Sequence, residues 1–297
     1  MTRILNIGSL NLDYVYKVDH IILPGDTEAT YSREVFLGGK GINQSIALAK
    51  AGAKVFHGGL IGSNGQPFLD ACAQYGVDSR YIRAVDAPDG HTVIQIDRDG
   101  QNSILLFGGT NRMLTREFAD SILADFHSGD MLLLQNEVNL LPYLIDRAYE
   151  KGMRVVLNPS PFNNQVLEAD LAKVSLFLLN EVEGFQLTGF QAPEEILQAM
   201  HRKYPNACIV LTLGKDGAFY SDEAQTLFQP VFPVKAVDTT AAGDTFTGFF
   251  LASLTEGVPV AQALRISAKA SSLCVTRPGA VASIPTKEEV LAPLPAE

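Results

Sequence analysis

Short, mostly apolar runs recur along the chain, at 4–7, 55–61, 131–134, 155–157, 176–179 and 208–213. A strand covered on both faces shows such a run, whereas a strand with one wet face would alternate. Between the runs, apolar positions fall into helical spacing at 43–51, at 140–151 with Gly152 as the stop, and at 193–203 behind Pro193. Strands alternating with helices predict βαβ units, and hence an α/β fold with a mostly parallel central sheet flanked by helices. Two segments break the rhythm. Residues 12–36 alternate apolar and polar side chains around Pro24-Gly25-Asp26, and 91–107 do the same around Arg98-Asp99-Gly100. These read as hairpins inserted into one domain spanning 1–297, where they would join as a small β-sheet lid. Simple edge hairpins are the equally weighted alternative.

Composition narrows the range of partners. The 297 residues carry 33 acidic and 23 basic side chains, a net charge of −10, with no Lys/Arg-rich block, which disfavours a nucleic-acid partner. Cys72, Cys208 and Cys274 are three in number, far apart and never in a C-x-x-C pair. They suggest neither a disulfide framework nor a zinc site, but buried thiols in a reducing compartment. The opening apolar run is too short for a signal peptide and nowhere do eighteen apolar residues run together, so the expectation is a soluble, cytoplasmic chain with no membrane partner.

Candidate chemistry concentrates in two glycine-containing stretches. In Asp238-Thr239-Thr240-Ala241-Ala242-Gly243-Asp244, small residues run directly into a helical pattern. The free N–H groups of Ala242, Gly243 and Asp244 at that helix start would make an anion site. Asp244 would there be either a base or a helix cap. The second stretch is Leu37-Gly38-Gly39-Lys40-Gly41-Ile42-Asn43-Gln44, in which Lys40 and Asn43 offer donors, the glycines allow close approach, and Asn43 is a candidate cap for the next helix. It matches neither G-x-G-x-x-G nor G-x-x-x-x-G-K-[ST].

Together these stretches resemble the two signatures of the ribokinase-like (PfkB) carbohydrate kinase family. Further matches are Ser9-Leu10-Asn11-Leu12-Asp13, Gln135-Asn136-Glu137, Asn180-Glu181-Val182-Glu183, Thr212-Leu213-Gly214-Lys215-Asp216-Gly217 and Val275-Thr276-Arg277-Pro278-Gly279-Ala280, in family order over nearly the whole chain. The resemblance implies ATP-dependent phosphorylation of a sugar hydroxyl, with D-ribose to D-ribose 5-phosphate as the leading expectation. By analogy Asp244 is the general base and Ala241, Ala242 and Gly243 form the anion hole. Asn11, Asp13, Gly39, Lys40, Gly41, Asn43 and Glu137 bind the sugar together with Asp244. Asn180, the Thr212–Gly217 loop (Thr212, Leu213, Gly214, Lys215, Asp216 and Gly217) and Gly243 bind nucleotide. Glu183 holds Mg²⁺ through water. Asp238, Thr240, Cys274, Arg277, Gly279 and Ser283 hold K⁺, mostly by main-chain oxygen. A homodimer through the lid follows from the same resemblance. Phe249, Asn136, Arg112-Met113, Pro278 and Ala268 depart from the family pattern. A kinase for another sugar or a nucleoside, or a non-catalytic sensor on the same fold, are the alternatives.

Overall fold

The computed structural model of the protein describes residues 2–293. In chain order the strands are β1 (Ile4–Ile7), β2 (Asn11–Lys17), β3 (Ser32–Gly38), β4 (Val55–Ile61), β5 (Asp78–Ala84), β6 (Gly90–Ile96), β7 (Asn102–Phe107), β8 (Met131–Gln135), β9 (Arg154–Asn158), β10 (Leu176–Asn180), β11 (Cys208–Thr212), β12 (Ala218–Ser221) and β13 (Thr226–Gln229). The helices are α1 (Lys40–Lys50), α2 (Gln66–Tyr75), α3 (Arg116–Leu123), α4 (Leu141–Glu150), α5 (Asn164–Leu167), α6 (Glu181–Thr188), α7 (Pro193–Lys203), α8 (Ala242–Thr255), α9 (Val260–Cys274) and α10 (Lys287–Leu291).

Nine strands form one sheet in the order β13-β12-β11-β10-β9-β8-β1-β4-β5. It is parallel from β5 to β11, and β12 and β13 extend it antiparallel at one edge. The apolar runs become the interior strands, since β1, β4 and β8 are buried at every residue. One layer of core holds Ile42, Ile46, Phe246, Phe250 and Leu264; the other holds Phe126, Leu144, Ile145, Phe177 and Met200. Helices α1 and α8 touch closely in the first layer. A Cβ on Gly248 would lie 2.4 Å from the Cβ of Ala47, so only glycine permits that crossing.

The second sheet has the order β3-β2-β6-β7. Both predicted hairpins pair antiparallel, and a parallel ladder between β2 and β6 joins them. Alternation puts Asn11, Asp13 and Val15 of β2 and Thr92 and Ile94 of β6 on the face that looks across a cleft to the large sheet.

Some boundaries differ from expectation. Strand β5 carries charged residues, and β12 and β13 are only four residues each, so none showed an apolar run. Helix α1 begins at Lys40, directly after Gly39 at φ 96°, three residues before its expected start at Asn43. Asn43 is therefore not a cap: it lies in the second turn, with its amide turned to Asp244. Of the three free cysteines, Cys72 and Cys274 are buried, but Cys208 is only half-buried and takes a hydrogen bond from the Tyr220 hydroxyl. Among the described residues no helix is long and apolar enough to cross a membrane.

Candidate active site

Strands β8, β9, β10 and β11 run parallel and end on the same edge of the large sheet. Just beyond their carboxyl ends, where open α/β sheets bind ligands, lies a cleft of about 980 Å³ between the two sheets. Asn11, Asp13, Gly39, Lys40, Asn43, Glu137, Asn180, Glu183, Thr212 and Asp244 all line it, as do Asp238, Thr240, Ala241, Ala242, Gly243 and Gly279.

Asp244 is placed by the start of α8. Ala241 precedes the helix in the left-handed conformation (φ 59°, ψ 9°), and no side chain caps it. The Ala242 N–H donates weakly to Thr239 O at 3.3 Å. Beside Gly243 a Cβ would meet nothing within 4 Å, so the positive end of the helix opens onto the cleft. Asp244, third residue of the helix, is 8% exposed. Its carboxylate accepts from Asn43 Nδ2 at 3.1 Å and from Gln44 Nε2 at 2.9 Å, not from the backbone of its own helix start. The side chain is thus held across the α1–α8 contact instead of serving as a cap.

Glu137 stands before α4 rather than in its first turn. Its Oε2 accepts from the Lys40 N–H at 2.8 Å and from the Ser9 hydroxyl, which ties the glycine-rich loop to the end of β8. Gly41 stays under this bridge. Its N–H donates to Ser9 Oγ at 3.2 Å, and a Cβ there would sit 2.2 Å from Ser9 N, so it supports the loop without lining the cleft. Across the cleft the Asn11 Oδ1 accepts from Asn111 Nδ2 at 2.7 Å, and the Asp13 Oδ1 accepts from the Thr92 hydroxyl at 2.6 Å.

Burial raises the Asp13 carboxyl to about 6, with Glu137 adding to the rise and the Thr92 hydrogen bond opposing it. Burial also works against the charge of Lys40. The facing carboxylates of Asp244, Glu137 and Glu183 outweigh it and leave the ammonium above its usual value. Lys40 is therefore a fixed positive charge among three acids, suited to an anionic ligand.

Asn180 and Glu183 form a reciprocal cap on α6. Asn180 N–H donates to Glu183 Oε2 at 3.0 Å, and Glu183 N–H donates to Asn180 Oδ1 at 2.9 Å. Beyond Thr212 the structure separates the expected loop from the cleft: Leu213, Gly214, Lys215, Asp216 and Gly217 make the turn into β12 and do not line it. At the other end, the Asp238 carboxylate accepts from Thr240 N–H (2.9 Å), the Thr240 hydroxyl (2.6 Å) and Gly279 N–H (2.8 Å). Burial disfavours its charge, but these donors hold it below the usual carboxylate range. Cys274 and Ser283 lie behind it, 3.1 Å apart from sulfur to hydroxyl, and the Cys274 thiol lies 3.7 Å from Thr240 O. The Arg277 guanidinium turns away to pair with Glu289 at 2.6 Å. Of the residues departing from the family pattern, Phe249 and Ala268 lie in the core, while Pro278 lines the cleft.

Thr92, Asn111, Asn158 and the orienting role of Gln44 were not singled out from sequence. Thr92 had a usable signal, since the alternation in 91–107 puts it on the same face as its neighbour Asp13. Asn158, at the carboxyl end of a parallel strand, also lines the cleft.

A parallel sheet with a small second sheet over its carboxyl edge, and an acid at a bare helix N-terminus between them, define a phosphoryl-transfer enzyme that acts on a small polar acceptor. The chain belongs to the pfkB family of carbohydrate kinases, which it matches over residues 1–287. Its catalysis is accordingly transfer of a phosphoryl group to an alcohol. The ribokinase of Haemophilus influenzae is 35% identical over 96% of both chains. A ribokinase of Cryptococcus neoformans in complex with ADP superimposes with a TM-score of 0.85 at 30% identity, over 98% of this chain and 99% of that one. An Arabidopsis thaliana ribokinase complexed with ribose and ATP superimposes with a TM-score of 0.84 at 28% identity, over 98% of this chain and 97% of that one.

Proposed function

We propose that the protein transfers the γ-phosphoryl group of ATP to a hydroxyl of D-ribose, yielding D-ribose 5-phosphate and ADP. The observation that carries this reading is the position of Asp244: a buried carboxylate at an uncapped helix N-terminus, facing the same cleft as Asn11, Asp13, Lys40 and Glu137. The sugar lies against the small sheet, which acts as the lid of the single kinase domain. Asn11, Asp13, Gly39, Lys40, Asn43 and Glu137 take its hydroxyls. The buried Asn43 Oδ1 has no partner among the described residues and suits a hydroxyl donor.

Asp244 accepts the proton of the attacking hydroxyl as its oxygen bonds the γ-phosphorus. The bond to the β–γ bridging oxygen breaks, and that oxygen leaves with ADP. The N–H groups at Ala241–Gly243 and the Lys40 ammonium face the charge on the transferred phosphoryl oxygens, where fixed dipoles act without reorganisation. Asn180 and Thr212 mark the nucleotide end, with the 213–217 turn beyond it toward the base.

Two cations fit this frame. Glu183, 5% exposed and facing the cleft, suits Mg²⁺ through its water shell. Asp238, whose charge the Thr240 and Gly279 donors favour, would hold K⁺ together with main-chain oxygens of Thr240, Cys274, Arg277, Gly279 and Ser283, the hard-oxygen ligands that such a cation takes. When bound, these ions would neutralise phosphate charge and the loop behind the anion hole. The lid exposes apolar side chains, among them Val35 (46%), Leu105 (72%) and Phe107 (48%), which favours a homodimer through this sheet. Three free thiols fit a cytoplasmic setting.

A coupled ADP assay over pentoses, hexoses and nucleosides, with and without K⁺, tests the reading with Asp244→Asn as the blank. Ribose should give the highest kcat/KM. Binding of ribose and ATP without turnover at saturating Mg²⁺ and K⁺ would refute it in favour of a sensor.

A further inference from the structure

Behind Asp244 runs a line of polar side chains with no access to solvent: Gln44, Gln135, Asn6, Ser45 and His57 are each 0% exposed. Its hydrogen bonds have a fixed direction. Asn6 Nδ2 donates to the main-chain Gly41 O at 2.7 Å and to Ser45 Oγ at 2.8 Å. A carbonyl accepts only, so the other end of Asn6, Oδ1, must face Gln135, whose Nε2 donates to it at 3.0 Å. The same Nε2 donates to Gln44 Oε1 at 2.6 Å. Gln44 can then present only its NH₂ group onward, to Asp244 Oδ1 at 2.9 Å and Asn158 Oδ1 at 3.1 Å. Asn158 is fixed independently, because its own Nδ2 donates to Leu178 O at 2.9 Å.

Reversing Gln44 would set its oxygen against two acceptors and its NH₂ against a donor. At the far end the Ser45 hydroxyl is left to donate to His57 Nδ1 at 2.8 Å, while the Nε2–H faces Gly8 O at 3.3 Å. That is a neutral imidazole, in keeping with burial pushing His57 down to about 4. A packing role would not need this amide. Gln135 Oε1 is buried with no partner among the described residues, a cost that Met or Leu of similar size would avoid.

We infer that Gln135 is a positioning residue for phosphoryl transfer: by fixing the Gln44 amide it holds the Asp244 carboxylate as an oriented acceptor aimed into the cleft. The inference rests on the kinase reading above. In Gln135→Met, kcat should fall about tenfold with the ribose KM within about twofold, because a misaimed base affects the reacting step and not sugar binding. Unchanged kcat in the folded variant, or a fall in kcat matched by an equal rise in the ribose KM, would overturn it. Should Gln135→Met not fold, Gln135→Leu removes the same hydrogen bond while leaving the Gln44 amide in place, and carries the same expectation and refutation. A crystal structure of the folded variant separates this inference from the kinase reading. If Gln44 has turned away from Asp244 there, the orienting of Asp244 by Gln135 stands even where the unsubstituted enzyme forms no ADP and the kinase reading falls; a retained Gln44–Asp244 bond overturns it.

Discussion

Asp13 offers the sharpest test of sugar binding, because a single hydrogen bond favours its charged form. Its carboxyl is raised to about 6 by burial and by Glu137, and only the 2.6 Å hydrogen bond from Thr92 opposes that rise. Thr92→Val keeps the shape and removes the donor. A hydrogen bond to a charged group is worth about 1.5–3 kcal/mol, and about 1.4 kcal/mol corresponds to one pKa unit, so the carboxyl should climb by about one to two units, to about 7–8. If the ionised form binds ribose, the parent enzyme at about pH 7 is nearly all competent, whereas the variant is about one-half to one-tenth competent. The apparent KM should therefore rise about two- to tenfold near neutral pH and return toward the parent value by about pH 9. The assay is the ribose KM from coupled ADP release across that range. Superimposable KM–pH curves would refute the reasoning, and so would a KM increase that persists at alkaline pH, which would show lost packing instead of lost charge.

Asp244→Asn should lower kcat by about 10²–10⁴ while ribose and ATP still bind, as isothermal titration would report. Lys40→Met, which removes the cation amid three carboxylates, should lower kcat by at least about 10², with a weaker ATP KM. The raised pKa of Asp13 also has a stability consequence. Its contribution is fully present below the unfolded value near 3.8 and is lost as pH rises through about 6. Asp13→Asn should then raise the urea midpoint at mildly alkaline pH, by up to about 3 kcal/mol in unfolding free energy, while impairing ribose binding. Gly248→Ala forces a methyl to 2.4 Å from the Ala47 Cβ and should cost about 1–3 kcal/mol in the same denaturation experiment.

The parts of the fold legible in the sequence are those with a regular apolar pattern, continuous in the interior strands and alternating in the small sheet. Interior strands such as β4 and β8 announced themselves as apolar runs, and the hairpins of the small sheet as alternation. Strands β5, β12 and β13 lie toward the sheet edges, half-exposed in places, and carried no such pattern. The start of α1 was missed because a helix normally begins at a polar cap, whereas here Gly39 at φ 96° makes the entry and frees Asn43 for Asp244. Charged and glycine-rich cleft residues stood out by type. Gln44, Thr92 and Asn158 did not, since a single neutral polar residue looks the same in a turn as beside a buried carboxylate such as Asp244. Their roles depend on partners such as Asp244, 200 positions from Gln44.

The four crossings between the two sheets each contain glycine: Gly8, Gly38 with Gly39, Gly90, and Gly108 with Gly109. At two of them the volume a side chain would fill is taken by the recognition groups themselves. A Cβ at Gly38 would lie 1.8 Å from Asp13 Oδ2, and one at Gly90 would lie 2.1 Å from Asn111 Nδ2 and 2.5 Å from Asn11 Oδ1. The segments that join the two sheets and the groups proposed to bind the sugar therefore compete for the same space. A side chain added at Gly38 or Gly90 would displace Asp13, Asn11 or Asn111, so a change of acceptor has little room at these positions. The freer wall is the apolar inner face of the sheet, where Phe36, Ile94 and Leu106 can change size without touching a joint.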